Sequence, residues 1–104
     1  VMEPTTSVSD PGANVLPTKF DLGQNHPNPF NPTTIIPYAL PRAAQVELSV
    51  FDVRGEQVDV IFAGHQAAGN HQINFNASRL SSGIYLYRLK AGDFVAVGKM
   101  VLLK

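Results

Sequence analysis

Histidines and aspartates are the side chains in this sequence best suited to hold a metal ion. Those that fall in candidate loops and turns are His26, His65, His71, Asp52, Asp59 and Asp93. The histidines do not have the spacing of a helical or hairpin zinc site, and no cysteine is present to complete one. Turn carboxylates can bind Ca²⁺, but no Asp-x-Asp-x-Asp run precedes a glutamate. We therefore predict no metal and no cofactor, with calcium at the turn aspartates as the alternative.

Side chains for catalysis or sugar binding are also few. Ser81 and Ser82 have no base beside them in sequence, so we predict that the domain is not an enzyme. Aromatic rings can stack on sugars, and the candidates are Tyr38, Tyr85, Tyr87, Phe51 and Phe75. Most of them share a predicted strand face with other apolar residues, and the sequence has no tryptophan. Core packing is their expected use, and a carbohydrate-binding or adhesive module stays open as an alternative.

The most unusual stretch runs from Gln24 to Thr34 and reads QNHPNPFNPTT. Its three prolines fix φ and remove three backbone N–H donors, which excludes a helix and a central strand. The interleaved asparagines carry donors and acceptors that can replace the lost main-chain pairing. Phe30 is the one large apolar side chain among them. We predict an ordered, extended segment that Phe30 anchors to a domain and that a partner protein could recognise.

Alternation of apolar and polar residues predicts about seven short strands and no helix. The expected strands are residues 19–22, 34–40, 45–53, 57–63, 72–76, 84–91 and 94–103. Short strands separated by frequent turn signals predict an all-β domain, an immunoglobulin-like antiparallel β-sandwich. Gly55 is expected to take a positive φ in a tight reversal. Pro37 indicates an edge strand or an edge-facing position, and Gly98 indicates a bulge or bend.

Inward faces follow from the same alternation. In the third expected strand Val46, Leu48 and Val50 should point into the core while Glu47 and Ser49 point outward. In the fourth, the inward set should be Val58, Val60 and Phe62. Leu80, between strands, should tuck beneath the sheets.

Length and composition limit the remaining possibilities. The 104 residues have a mass of 11.3 kDa and suffice for one domain, expected at residues 17–104. Residues 1–16 are rich in Pro, Ser and Thr and are predicted to be an interdomain linker. Eight basic and eight acidic residues balance, so we expect no nucleic-acid partner. No apolar run approaches the roughly 20 residues of a membrane helix, and no signal peptide is recognisable, so any leader would lie elsewhere in a longer protein.

Five motifs in order carry a family resemblance. They are LGQNHPNPFNPTTIIPYALP, VELSVFDVRGEQV, AGNHQINFN, LSSGIYLYRL and KMVLLK. Together they make residues 22–104 resemble the type IX secretion C-terminal sorting domain of type A. The sequence is also similar to flagellar hook-cap immunoglobulin-like domains.

The resemblance implies a non-catalytic sorting signal. This signal would direct an upstream secreted protein, such as a polysaccharide-degrading hydrolase, across the outer membrane of a Gram-negative bacterium. The implied partners are the translocon, shuttle and sortase proteins of type IX secretion, together with the cargo in the same chain. The implied route leads through the periplasm to the cell surface or the medium. The expected recognition residues are Asn25, Pro27, Asn28, Pro29, Phe30, Asn31, Pro32, Lys99, Met100, Val101, Leu102, Leu103 and Lys104. A carbohydrate-binding module and a structural spacer are the alternatives.

Overall fold

The computed structural model describes residues 16–104, which form seven strands and no helix. The strands are β1 (Asp21–Leu22), β2 (Thr33–Leu40), β3 (Ala44–Phe51), β4 (Gln57–Gln66), β5 (Gly69–Asn76), β6 (Gly83–Ala91) and β7 (Phe94–Leu102). The predicted all-β fold is therefore confirmed. The linker predicted for residues 1–16 lies, apart from Leu16, outside the described residues and stays a prediction.

The strands form two antiparallel sheets, as in an immunoglobulin-like sandwich. One sheet has the order β1-β2-β5 and the other the order β4-β3-β6-β7. In constant-type immunoglobulin domains the fourth strand belongs to the sheet of the first two strands. Here a tight turn after β3 returns the chain as a hairpin, so β4 stays beside β3, and the chain changes sheet only before β5.

The core lies between the two sheets and takes side chains from both. The first sheet and the segment before β2 supply Phe30, Ile36, Tyr38, Leu40 and Phe75, and the second supplies Val46, Leu48, Val50, Tyr85, Tyr87, Leu89, Met100 and Leu102. The predicted inward face of β3 is confirmed. Ser49 lies on the opposite face but is fully buried, so its predicted exposure is wrong. Leu80 packs against this core, as predicted.

Strand β4 departs from simple alternation. Its register against β3 shifts twice, between Leu48 and Ser49 and between Val50 and Phe51. Each shift is a bulge that places an extra β4 residue opposite one β3 position and changes which side chains face inward. Val60 is consequently exposed, and its predicted inward position is wrong, whereas Val58 and Phe62 pack against the core as predicted.

Pro37 lies in β2, which is the central strand of its sheet, so the edge-strand prediction is wrong. The alternative, an edge-facing position, is confirmed. The Pro37 carbonyl accepts a hydrogen bond from Gly23 N at 2.8 Å, and Ile35 pairs with His26 on the same side. In an antiparallel strand the N and O of one residue point to the same neighbour, so the missing proline donor faces this short partner segment and not β5.

Gly98 marks no bulge, because the β6–β7 register runs without a shift and places Gly98 directly opposite Tyr87. A Cβ atom at Gly98 would collide with the Tyr87 ring. The glycine is therefore required by the close approach of an aromatic ring on the neighbouring strand.

Gly98→Ala is expected to destabilise the domain by about 1–3 kcal/mol, because the methyl group overpacks a fully buried ring. The free energy of unfolding from urea titration measures the effect. The matched control is Gly64→Ala in β4, where the nearest atoms are the movable end of the Phe62 side chain. Equal stability of the two variants would show that the Tyr87 contact does not constrain Gly98.

The β3–β4 turn is held by one carboxylate. Gly55 has φ of 84°, as predicted for this reversal. Asp52 Oδ1 accepts hydrogen bonds from Glu56 N at 3.0 Å and from Arg54 N at 2.9 Å. The Glu56 backbone bond, followed by the interactions with Arg54, lowers the pKa of Asp52 below its ordinary value of 3.8.

Because the folded-state pKa of Asp52 is lowered, its charge stabilises the fold above the unfolded pKa, and this stability is lost as pH falls through the folded value. Asp52→Asn keeps an acceptor oxygen but removes the charge. The stability difference between wild type and Asp52→Asn should be constant at neutral pH and shrink below about pH 4. Thermal unfolding across pH measures it. Asp93→Asn, in the β6–β7 turn, is the control, and an equal pH response there would contradict the assignment.

Candidate functional site

The two stretches predicted to carry recognition lie side by side in the folded domain. We call residues 24–32 the proline clip. Phe30 N donates to Val101 O at 2.9 Å, and Leu103 N donates to Phe30 O at 3.0 Å. Phe30 thus forms a parallel bridge with the end of β7, although about 70 residues separate the two in sequence.

Side-chain amides extend this pairing where prolines prevent it. Asn28 Oδ1 accepts a hydrogen bond from Val101 N at 2.9 Å, and Gln24 Nε2 donates to Lys99 O at 3.0 Å. The main-chain groups of these β7 residues point away from β6, so they would otherwise face solvent as an open sheet edge. The clip therefore covers the C-terminal half of the β7 edge. The predicted replacement of main-chain pairing by asparagine side chains is confirmed for Asn28, whereas the Asn31 side chain makes no hydrogen bond among the described residues.

Asn25 is the buried polar centre of the clip, with 1% of its surface exposed. Its Nδ2 donates to Thr34 Oγ1 at 3.0 Å and to Pro27 O at 3.3 Å, and Oδ1 accepts from Gln24 Nε2 at 2.6 Å. The Thr34 hydroxyl in turn donates to Pro27 O at 3.0 Å. These bonds fix the path of a chain segment that has no regular ladder of its own.

Tyr87 connects the clip to the four-stranded sheet, and sequence reasoning treated it only as a core residue. Its hydroxyl donates to Gly23 O at 2.8 Å and accepts from Asn25 N at 3.0 Å. Burial raises the pKa of Tyr87 above its ordinary value, with the Asn25 hydrogen bond acting in the opposite direction, so the phenol is neutral and able to donate at pH 7. No sequence signal indicates this role, because the pairing of Tyr87 with Gly98 and the position of the hydroxyl depend on the fold.

The predicted recognition residues divide into buried anchors and exposed side chains. The buried ones are Asn25, Phe30, Met100 and Leu102, and the half-buried ones are Pro32 and Val101. The ring of Phe30 packs against that of Phe75 with centroids 6.4 Å apart, which confirms it as the anchor. The exposed ones are Pro27, Asn28, Pro29, Asn31, Lys99, Leu103 and Lys104. Only the exposed set is available to a partner that binds the folded domain.

Lys104 is tied to the β5–β6 connection. Its backbone N donates to Ser82 Oγ at 2.9 Å, and its Nζ donates to Ser78 O at 2.6 Å. The basic end is thus held against the body of the domain, next to the exposed Leu103 side chain.

The side chains considered for metal and sugar binding lie elsewhere. Within residues 16–104 no three His, Asp or Glu side chains come together as a metal site. Asp59 pairs with Arg79 at 3.5 Å, and the His71 ring stacks on Tyr38 with centroids 5.1 Å apart. Tyr38, Tyr85, Tyr87 and Phe75 are buried, which confirms core packing for them. Phe51 is half-buried outside this core, beneath the Arg88 guanidinium. Among the described residues, no helix is long and apolar enough to cross a membrane.

Tyr87→Phe should destabilise the domain by about 1–3 kcal/mol, because it removes the hydroxyl and leaves Gly23 O and Asn25 N without their partner. Urea unfolding measures the loss, and hydrogen exchange at the Asn25 amide should accelerate with it. Tyr38→Phe is the matched control, because the buried Tyr38 hydroxyl has no hydrogen-bond partner among the described residues. Tyr38→Phe is expected to be neutral or stabilising. If both variants lose equal stability, the hydroxyl of Tyr87 does not hold the clip.

Comparison with known proteins places this geometry in a family. The family model described as the secretion system C-terminal sorting domain matches residues 25–103, which include the clip from Asn25 onward and all of β7. A comparison with curated proteins gave no match. The match covers most of the chain, and the all-β fold agrees with it. The chain belongs to the type IX secretion C-terminal sorting domain family.

Proposed function

We propose that this domain is a non-catalytic address that directs an upstream protein in the same chain across the outer membrane by type IX secretion. Membership of the family implies a sorting signal and export to the cell surface or beyond. The observation that supports the proposal most directly is the junction of the clip with the end of β7. It joins exposed side chains from both predicted recognition stretches into one continuous surface.

The proposed partners and route are more specific than the family match. The translocon and its shuttle bind the exposed surface at the outer membrane of a Gram-negative bacterium after the protein has crossed the periplasm. A sortase then cleaves in or near the segment before Phe20, or attaches the cargo to the surface. The cargo is a secreted hydrolase, such as a polysaccharide-degrading enzyme.

The positions of the serines support a non-catalytic role. Ser82 Oγ accepts the Lys104 backbone N–H, and the Ser81 carbonyl accepts a hydrogen bond from the Tyr85 hydroxyl at 2.7 Å. Both contacts fix the connection into β6. Neither serine hydroxyl has a hydrogen bond to a carboxylate or histidine among the described residues, as a serine nucleophile requires.

Recognition of a folded surface has to be tested without unfolding the domain. Removing residues 99–104 would also remove Met100 and Leu102, which are both fully buried. Loss of each such side chain costs about 2–5 kcal/mol, against a total stability of about 5–15 kcal/mol for a typical domain. A truncation would therefore confuse misfolding with lost recognition, and substitutions of exposed side chains are the sharper test.

The experiment fuses the full 104-residue chain behind a signal peptide and a fluorescent passenger in a type IX-competent host. The test variant changes Asn31, Lys99 and Leu103 to alanine, because these side chains are exposed and make no hydrogen bond within the described structure. The control changes Asn70, Gln72 and Asn74 to alanine on the exposed face of β5. Loss of several contacts at about 1 kcal/mol each should lower export by about tenfold or more in the test variant, and the control should export like wild type.

Each result has a distinct meaning. Retention of the wild-type fusion in the periplasm would overturn the sorting function in that host. Export of wild type with equal export of both triple variants would keep the sorting function and overturn the proposed position of the recognition surface. Unfolding midpoints of the purified chains establish that all three variants are folded.

A further inference from the structure

The clip leaves the first half of the β7 edge without a paired strand among residues 16–104, although β1 lies close to β7 and Phe20 stacks on Phe94 with ring centroids 5.4 Å apart. The backbone N–H and C=O groups of Val95 and Val97 point away from β6, as those of Lys99 and Val101 do, because every second residue of a strand faces the same neighbour. They have no hydrogen-bond partner among the described residues. Residues 94–98 read FVAVG and contain no charge, proline or bulge. Natural sheets use such devices to prevent pairing with other chains.

The other edges are protected in different ways. The β4 edge is interrupted by two bulges and carries Asp59 between them. In the smaller sheet, the edge strand β1 has only two residues. The exposed side chains of β5 are amides, and asparagine is a poor strand former. Among the strands that the structure describes, only residues 94–98 combine an unpaired, regular edge with exposed aliphatic side chains, since Val95 is 55% and Val97 58% exposed.

Unpaired N–H and C=O groups in an extended row are complementary to another polypeptide in β conformation, and not to a glycan or a lipid chain. The exposed valines favour aliphatic side chains on the same face of the added strand.

On the outward faces of β6 and β7 the charged side chains are all positive. Lys90 lies opposite Val95, Arg88 lies opposite Val97, and Lys99 follows on β7. The Arg88 guanidinium is held over the Phe51 ring at 4.7 Å and forms no ion pair among the described residues. No outward-facing carboxylate lies on β6 or β7; Glu47 on β3 lies opposite Lys90, and Asp93 lies in the turn before β7. A partner strand with at least one carboxylate complements this face.

We propose that the β7 edge at Val95–Val97 accepts a strand from a partner protein, an extended segment that carries aliphatic and acidic side chains. This inference rests on the proposed sorting function, because the partner is a component of the export machinery. The clip sets the register of the added strand, since Gln24 and Asn28 occupy the edge from Lys99 onward.

Val97→Pro tests the pairing directly. It removes one N–H that points outward and leaves the β6–β7 ladder intact, because Val97 donates no hydrogen bond to β6. Val97→Thr is the matched control, which keeps the N–H and a β-branched side chain. Val97→Lys is a second test that does not alter the backbone and blocks an edge with a charge. Each is built into the full chain with the fluorescent passenger, and export is measured with the unfolding midpoint.

Export should fall about tenfold or more in Val97→Pro, because a lost main-chain hydrogen bond in a short added strand removes about 1.4 kcal/mol or more of binding. Val97→Lys should also lower export, because it replaces an apolar contact at the edge with a charge. Val97→Thr should export like wild type. Changing Lys90 and Lys99 together to glutamine should also lower export, since it removes the attraction for the carboxylate.

Three results would overturn the inference. Equal export of Val97→Pro and Val97→Thr in a host that exports wild type would contradict strand addition but not the sorting function. Unaltered export of the double glutamine variant would contradict the proposal that the partner strand is acidic. Light scattering that shows a wild-type dimer and a Val97→Pro monomer would assign the edge to a second copy of this chain. Periplasmic retention of wild type would instead overturn the sorting function and, with it, this partner.

Discussion

The Tyr87 side chain is the contact on which the arrangement of this domain depends. Its ring lies over Gly98 on the neighbouring strand, and its hydroxyl bonds both Gly23 and Asn25. The proline clip has lost three main-chain donors and cannot join a sheet in the usual way. It therefore has to be held by side chains, and Tyr87 provides the buried contact that ties its start to the larger sheet.

The clip and the end of β7 each supply hydrogen-bond partners that the other would otherwise lack. The end of β7 would be an open edge without Asn28 and Phe30, and the clip would have few fixed contacts without β7. Each hydrogen bond contributes only about 0.5–1.5 kcal/mol net, so the buried Phe30 ring supplies a large share of the stability. The exposed side chains of the clip acquire fixed positions only because these anchors alternate with them. A surface assembled in this way exists only in the folded domain.

Sequence patterns predicted those features that depend on near neighbours. The strand count, the inward face of β3, the positive φ of Gly55 and the anchoring role of Phe30 were all correct. The failures concern contacts between strands. In β4 the residues 60–62 are apolar without a break, so alternation could not locate the bulges. The true reason for Gly98 is a ring 11 positions earlier, which no local pattern shows.

In the candidate site, too, the features that depend on near neighbours were predicted, and the contacts between distant segments were not. Family resemblance pointed to the clip and to residues 99–104 separately, and their chemistry explained why each is unusual. Their adjacency could not be derived, because it depends on where the chain passes between the sheets. Tyr87 was missed for the same reason: its aromatic character predicted burial, and only the fold reveals which backbone groups its hydroxyl meets.

The path of the chain also explains why the β7 edge is covered only in part. Before the clip the chain belongs to the other sheet, where β1 pairs with β2 and Gly23 N donates to Pro37 O. Asp21 and Leu22 pair with Ala39 and Tyr38 of the smaller sheet, and among the described residues they form no backbone hydrogen bond to β7. Gln24 stands at the change of direction and reaches Lys99 with its side chain, not its main chain. Among the described residues, the edge before Lys99 is therefore left without a paired strand.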